Sequence, residues 1–337
     1  MNEEIMNEES SKEEVTHGTL YVMRERDYYS GKTLDYYKIG IVNGDKEVEK
    51  RRKDHVTGNP RDIFTVQEFT SLAVQRLETL LHNLYAANRV HSGEWFKFSE
   101  SEAKALLQEI PKWQNAIDAK YLEIEGKKVP KGPGSEAMIH PDANTIELAQ
   151  NLAIALAEAK IAKANKALVS KKLVEIAGED PDFATMFKSS TSTSGGSFKS
   201  GQVQERDKAL WQSFMTLATP TITPKWTVTT PEGFTPNTAK IDKESLTDNP
   251  VELHALFMEA WGEDYRWKLE VDLLEDVLLV RASDAAGIEG IFTWESGESK
   301  GFDKEGFKAK HPDLYQDCIP PKVTTTKPIP AEWKSYI

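Results

Sequence analysis

Two short segments near the start of the chain combine basic and aromatic side chains that could act on a phosphate group. Arg51 and His55 are four residues apart, so a helix over about residues 46–56 places them on one side. Tyr21 and Lys38 lie in two strand-like segments, and pairing of these as a hairpin would bring both side chains to one face. A guanidinium stabilises charge on a phosphate, and a tyrosine, lysine or histidine helps to deprotonate water.

A second group of polar residues follows helical spacing further along the chain. Its members occupy positions i, i+4, i+7 and i+11 and form a stripe distinct from the apolar one: Glu78, His82, Tyr85 and Arg89. A carboxylate on such a stripe can hold a divalent metal ion, which phosphodiester hydrolysis commonly uses. Each of these side chains is ordinary when taken alone, because charged and aromatic residues are common on exposed or half-buried helices and strands. Only their joint arrangement favours chemistry on a phosphodiester.

The elements that must position these residues are predicted between residues 17 and 112. Three segments rich in strand formers are GTLYVMRER at 18–26, YYKIGIV at 36–42 and IFTVQEF at 63–69. The first two are separated by a predicted turn at Ser30-Gly31. Helices are predicted at 46–56 and 71–89, and a short helix follows GEWFKFS, with Ser99 or Ser101 as its cap. The pattern predicts a β-β-α-β-α domain with a three-stranded sheet.

The remaining chain is predicted to contain a long helix and a second folded domain. Prolines and glycines after residue 124 indicate a linker, which we place at 113–142. A helix capped by Asn144 and stopped by Gly178 would be roughly 50 Å long and would form a packed arm within 143–187. A Ser/Thr/Gly-rich stretch predicts a flexible linker at 188–205. Most of the tryptophans lie beyond it, which indicates a mixed α and β domain at 206–337.

Composition bounds the class of protein. The chain has 337 residues, 39% apolar content and a net charge of −12, which indicates a soluble globular protein of about two domains that does not bind polyanions by bulk charge. No apolar run is long enough to cross a bilayer. Cys318 is the single cysteine, so an internal disulfide is excluded and a reducing cytoplasm is expected. The acidic residues 1–16 differ from a secretory signal and predict a disordered tail.

The order and spacing of the motifs resemble the GIY-YIG nuclease superfamily, most closely the phage and fungal branch in which KIG commonly replaces YIG. The motifs that carry this resemblance are LYV at 20–22, KIG at 38–40, Arg51, TGNP at 57–60, Glu78 followed by His82, and GEWF at 93–96. The resemblance covers about residues 18–98. It implies an α/β (α+β) fold, with a small three-stranded sheet and helices preceding the long helix and the mixed C-terminal domain.

The resemblance also implies roles in proton transfer. Tyr21 matches the GIY tyrosine, a candidate for activating the attacking water. Lys38 stands where the YIG tyrosine usually lies, so it either assists the same step or contacts phosphate. His55 matches a position that is histidine in some members.

Further roles concern the phosphate and the metal. Arg51 matches the arginine that stabilises the pentacovalent phosphate, and Arg52 is its rival if the register slips by one. Glu78 matches the single metal-binding carboxylate, which implies one Mg²⁺ or Mn²⁺ ion. His82 has a role open between site orientation and packing. The asparagine that ends the site in other branches has no clear counterpart, and Glu94 in GEWF is interpreted as structural.

The sequence therefore predicts a metal-dependent DNA endonuclease, encoded by a phage or mobile element and acting in the host cytoplasm, with target choice set by the C-terminal region. Residues 143–337 resemble the C-terminal part of YqaJ-type phage recombination exonucleases at SKKLVEIAGEDPDF and GFDKEGFKAKHPDLYQD. Two alternatives stay open. One is a DNA-binding or inhibitory protein that keeps the nuclease fold without cutting, and the other is a structural protein built on the long helix.

Overall fold

A computed structural model describes residues 17–56, 61–178, 180–216, 220–298 and 301–335. The predicted tail at 1–16 and the TGNP turn at 57–60 lie outside the described residues. The chain divides into two units, the first ending at Glu123 and the second beginning at Ile124.

The first unit is built on an antiparallel sheet with strand order β3-β1-β2-β4. Its strands are β1 (Gly18–Arg26), β2 (Thr33–Asn43), β3 (Asp62–Ser71) and β4 (Trp95–Lys97). The three predicted strands are confirmed, but the prediction of a three-stranded sheet was wrong. The GEWF segment turns back and pairs with β2, where Trp95 lies opposite Lys38. This fourth strand is only three residues long, and strand propensity identifies so short a segment poorly.

Three helices surround this sheet: α1 (Val48–Val56), α2 (Val74–Leu84) and α3 (Glu100–Ile124). The spacing of Val74, Leu77, Leu81 and Leu84 predicts the apolar stripe of α2; the first three are buried and Leu84 is half-buried. The start of α3 is a capping box, because the Ser99 hydroxyl accepts from the main-chain N–H of Glu102 while the Glu102 carboxylate accepts from that of Ser99.

Helix α3 runs past Pro111, so the linker predicted from residue 113 was wrong for residues 113–124. A proline removes one main-chain hydrogen bond and normally ends or kinks a helix. Here the later half of α3 is tied to the end of β3. Asp118 accepts hydrogen bonds from the Ser71 hydroxyl (2.7 Å) and the Leu72 N–H (3.1 Å). Buried Ile117 adds apolar packing. Tertiary contacts thus outweigh the local signal of the proline.

The second unit pairs two long helices, α4 (Ala143–Ala177) and α7 (Pro250–Ala282). They are antiparallel, because Arg281 near the end of α7 donates to Thr145 at the start of α4 (3.1 Å). The predicted long helix is confirmed, although its cap is Asp142, which accepts from Thr145 N, rather than Asn144. Within the part of the chain that the structure describes, no helix is both long and apolar enough to span a bilayer.

In the described part of this unit, the other elements include three small sheets and four short α-helices. The helices are α5 (Ser200–Arg206), α6 (Lys208–Ser213), α8 (Lys304–Lys310) and α9 (Pro312–Asp317). The strands are β5 (Met138–Ile139), β6 (Phe187–Ser194), β7 (Met215–Thr216), β8 (Pro220–Trp226), β9 (Gly287–Ile288), β10 (Phe292–Glu298), β11 (Gly301–Phe302) and β12 (Val323–Pro330). The sheets are β5-β9-β10-β8, β11-β7 and β12-β6.

The prediction of a flexible linker at 188–205 was wrong. Residues 187–194 form strand β6, which pairs with β12 over its whole length, and residues 200–206 form helix α5. Serine and threonine adopt extended backbone readily, but the partner strand lies more than a hundred residues away in sequence. Composition alone therefore could not distinguish this strand from a linker.

Candidate active site

Tyr21 is the centre of the candidate site, and its position depends on a glycine. Tyr21 lies opposite Gly40 in the β1–β2 pair, and its ring crosses the main chain of Gly40. A methyl group on Gly40 would lie 2.5 Å from the Tyr21 hydroxyl oxygen, so any larger residue would displace the ring. The predicted hairpin therefore places Tyr21 and Lys38 on one face, because Lys38 is two residues from Gly40 on the same strand.

Helix α1 brings Arg51 and His55 to Tyr21. The Tyr21 hydroxyl lies 3.4 Å from Nε2 of His55 and also interacts with the Arg51 guanidinium. Burial raises the pKa of Tyr21, and the bond to Arg51 offsets part of that effect. Burial lowers the pKa of His55, and the positive charges of Lys38 and Arg51 lower it further. The imidazole is therefore neutral near pH 7 and can accept a proton.

The choice between Arg51 and Arg52 follows from their different contacts. Arg52 binds both carboxylate oxygens of Glu49 at 2.7 Å and donates to the main-chain oxygen of Ile63 at 2.9 Å. These contacts fasten α1 to β3 and occupy the guanidinium. Arg51 projects instead toward Tyr21. The geometry thus groups Arg51, and not Arg52, with the other candidate residues.

Lys38 is buried and forms an ion pair with Glu94, a residue interpreted from sequence as structural. Burial would raise the pKa of Glu94, but the hydrogen bond and charge of Lys38 outweigh it and leave the pKa below its usual range. The turn that carries Glu94 is fastened by Arg89, which donates to the main-chain oxygens of Gly93 (2.6 Å) and Ser92 (3.3 Å). The sequence signal for Glu94 was its place in the GEWF motif, but its pairing with Lys38 appears only in the structure.

Glu78 projects from α2 into the same electrostatic environment. Burial and, less strongly, the charge of Glu94 raise its pKa to about 7, against the opposing effects of Lys38, Arg89 and Arg51. Among the described residues, its carboxylate has no hydrogen-bond or ion-pair partner. A half-buried carboxylate without such a partner is a good ligand for a cation, because a bound cation would offset the free-energy cost of keeping the negative charge away from water.

A single carboxylate, that of Glu78, suits a hard cation that prefers oxygen ligands and takes most of them from water or substrate. The described part of the chain contains no group of three or more His, Cys, Asp or Glu side chains placed to hold a metal ion. Mg²⁺ is often bound by one or two carboxylates, with water and phosphate oxygens completing its coordination. Glu78 therefore fits the predicted Mg²⁺ or Mn²⁺ ion as a single protein ligand.

His82 lies one helical turn after Glu78 and contacts the main chain of β2. Its Nε2 donates to the main-chain oxygen of Ile39 (3.0 Å), and its ring packs on buried Phe96. Burial lowers the pKa of His82, while the bond to Ile39 opposes this shift. Of the two roles left open by sequence, this geometry favours orientation of the strand that carries Lys38 and Gly40. Phe96 is itself fully buried in the core of this unit.

Comparison with known protein families gives a match to the part of the chain that contains the candidate site. A family model of the T5orf172 domain matches residues 18–111, which cover β1 through the first half of α3. This domain is phage-associated and occurs in the context of GIY-YIG/HNH-like endonucleases. The match covers under a third of the chain. No curated protein and no solved structure matches the sequence significantly. Residues 18–111 are thus similar to the T5orf172 domain, and the likeness of residues 143–337 to YqaJ-type exonucleases stays a prediction.

Proposed function

We propose that the chain is a metal-dependent endonuclease that hydrolyses DNA phosphodiester bonds at the cluster around Tyr21. The observation that supports this most strongly is the convergence of Tyr21, Arg51, His55 and Glu78 within a T5orf172 domain. These side chains come from three separate elements, β1, α1 and α2.

Each residue has a distinct role in this proposal. The Tyr21 hydroxyl takes a proton from the attacking water and passes its own proton to the neutral imidazole of His55. Arg51 stabilises the negative charge that develops on the phosphate, and Lys38 adds positive charge beside it. Glu78 holds the cation, which when bound polarises the phosphate and activates water.

The experiment is plasmid cleavage with Mg²⁺ or with chelator, comparing wild type with Glu78→Ala. The plasmid carries DNA from the genome that encodes the chain and from competing elements. We expect metal-dependent cutting that falls at least about 10²–10³-fold in Glu78→Ala. Glu125→Ala is the matched control, because this glutamate is exposed and lies outside the cluster. Equal cutting by wild type and Glu78→Ala would contradict the assignment of Glu78.

The second candidate is a DNA-binding or inhibitory protein that keeps the fold without cutting. The observation that favours it is Lys38, which replaces the family tyrosine and is engaged by Glu94. DNA binding by both wild type and Glu78→Ala, without cleavage by either, would support this candidate. Phage or mobile-element origin and targeting by the C-terminal region remain part of the first proposal.

A further inference from the structure

The pair β6–β12 is an uncovered two-stranded ribbon in the second unit. Its strands pair in register from Phe187 opposite Pro330 to Ser194 opposite Val323. From Ser189 to Ser194 and from Val323 to Lys327, every side chain except Ser190 is exposed. An isolated two-stranded ribbon is marginally stable in water, so this one depends on its ends.

Both ends of the ribbon are anchored. At one end Ala331 is buried, donates to the main-chain oxygen of Met186 (2.7 Å) and accepts from His254 (2.6 Å). At the other end Gly195 and Gly196 adopt positive φ, and Gly196 donates to the main-chain oxygen of Pro320 (2.8 Å). A methyl group on Gly195 would lie 2.1 Å from the oxygen of Pro321, so glycine is required there. The middle of the ribbon is exposed to solvent, and both of its ends are fixed by hydrogen bonds.

The surface of the ribbon is made of hydroxyl groups. On one face Thr191 faces Thr326 (3.1 Å) and Thr193 faces Thr324 (3.2 Å), with hydroxyl oxygens in hydrogen-bonding distance. Val323 is an exposed apolar residue of the ribbon, and the other exposed side chains at 189–194 and 323–327 are serine, threonine and lysine, which offer hydrogen-bonding groups to a polar partner. Serine and threonine hydroxyls contact both phosphates and base edges in protein–DNA interfaces.

The charge of the ribbon is opposite to that of the chain. Residues 187–200 and 318–331 contain four lysines and neither aspartate nor glutamate, although the chain carries −12 overall. Lys188 is paired with Glu332. Among the described residues, the exposed side chains of Lys199, Lys322 and Lys327 form no ion pair. Lysines without an ion pair, next to a surface rich in hydroxyl groups, are suited to bind a polyanion that also presents hydrogen-bonding groups.

We propose that this ribbon is a second DNA-contacting surface, with its exposed strands in the major groove and Lys199, Lys322 and Lys327 near phosphates. The major groove of B-form DNA admits a two-stranded β-ribbon, whereas the deep and narrow major groove of an RNA duplex does not. The inference rests on the proposed function only in taking DNA as the substrate. It gives the C-terminal region a specific means of holding that substrate.

The test is the binding of a labelled pool of random-sequence duplexes in chelator, where cleavage does not occur. Glutamine replaces Lys199, Lys322 and Lys327 together. We expect the variant to bind at least about tenfold more weakly. The slope of log binding constant against log salt concentration should become shallower by about two to three, since each lost phosphate contact contributes about 0.9 to that slope. The control replaces Lys127, Lys160 and Lys163, which are also exposed and outside the ribbon, and should change affinity less than about twofold.

A second arm tests the groove. Duplexes whose cytosines carry a bulky C5 substituent fill the major groove, so wild type should bind them more weakly than unmodified duplexes. The glutamine variant should lose this difference. Unchanged binding by the variant would overturn the proposal, as would equal binding of modified and unmodified duplexes by wild type.

Two further outcomes identify other causes. A dimer seen by sedimentation in wild type and lost in the ribbon variant, with DNA binding unchanged, would assign the ribbon to contact between two copies and overturn the proposal. Failure of the proposed function is distinguishable, because plasmid cleavage depends on Glu78 while this binding is measured without cleavage. A chain that binds through the ribbon lysines but never cuts DNA would retain this inference and lose the other.

Discussion

Glu78 in the first unit and Glu158 in the second are both withdrawn from solvent, yet their environments are opposite. The Glu158 carboxylate is fully buried and accepts from the main-chain N–H groups of Asn237 (2.6 Å) and Thr238 (2.9 Å). Burial would raise its pKa, but these bonds outweigh burial and lower it. Glu78 has no such donors among the described residues, and its pKa is raised to about 7.

This difference shows how to separate a structural carboxylate from one that is available to a ligand. Burial by itself does not distinguish them, because both side chains project from helices into partly or fully enclosed positions. What differs is whether the protein supplies the hydrogen-bond donors that a negative charge requires. Glu158 uses its charge to hold the extended segment around Asn237 against α4. The ionised Glu78 carboxylate lacks hydrogen-bond donors among the described residues, which lowers the stability of the folded protein. A bound cation would offset this loss.

The largest expected effect is on DNA cleavage. It compares two adjacent arginines, of which one has its hydrogen bonds satisfied by the protein and the other faces the candidate site. Arg52 is saturated by Glu49 and Ile63, whereas Arg51 is exposed toward the candidate site. We expect Arg51→Ala to lower DNA cleavage about 10²–10³-fold, because charge stabilisation of the phosphate is lost. Arg52→Ala should lower cleavage less than about threefold and reduce the free energy of unfolding by about 1 kcal/mol. Cleavage assays and urea denaturation measure both, and the reverse pattern would show that the register is shifted by one residue.

The next effect concerns the satisfied carboxylate. Glu158→Ala removes the charged acceptor of the Asn237 and Thr238 N–H groups, so we expect the free energy of unfolding to fall by about 3 kcal/mol. Because the folded pKa of Glu158 is lowered, its contribution is present above the usual carboxyl pKa and is lost as pH falls through the folded value.

Urea denaturation at pH 7 measures this change, and Trp267 is a suitable reporter because it donates to Thr238 (3.0 Å). Glu158→Gln is the matched control. It keeps one acceptor oxygen and should destabilise the protein less than Glu158→Ala. A loss below about 1 kcal/mol in Glu158→Ala would remove the basis for treating this residue as structural.

The smallest effect has the opposite sign. The folded pKa of Glu78 is raised above its unfolded value, so ionisation destabilises the folded protein as pH rises between about 4.5 and 7. Glu78→Gln has no charge to ionise. In chelator at pH 8 we expect it to raise the free energy of unfolding by about 1–2 kcal/mol, less than the full shift implies because the side chain is only partly buried.

Most of this gain should vanish by pH 5, where the folded wild type retains its proton. Urea denaturation of wild type and Glu78→Gln at the two pH values isolates the contribution, since all other titrating groups are shared. Destabilisation by Glu78→Gln at pH 8 would mean that the carboxylate has a favourable partner. The contrast between Glu78 and Glu158 would then fail.

Local patterns in the sequence predicted much of the first unit. The runs of strand formers in β1 and β2 and the leucine spacing of α2 are local patterns of a few residues, which are visible without a partner. The candidate site residues were found because the resemblance joins short motifs in a fixed order. What local pattern could not supply was the pairing of Lys38 with Glu94 and the continuation of α3 beyond Pro111, because both depend on contacts with distant elements.

Local sequence was sufficient to predict the residue types for phosphate chemistry, the main strands and helices of residues 18–111, and the long helix after residue 142. The folded arrangement was needed to show that Arg51 rather than Arg52 faces Tyr21, and that Glu78 lacks hydrogen-bond donors among the described residues while Glu158 has two. It also decided that a Ser/Thr-rich segment is a strand, since β6 exists only in its pairing with β12. The physical reason is that hydrogen-bond satisfaction and strand pairing are properties of neighbours in space, which sequence spacing does not specify.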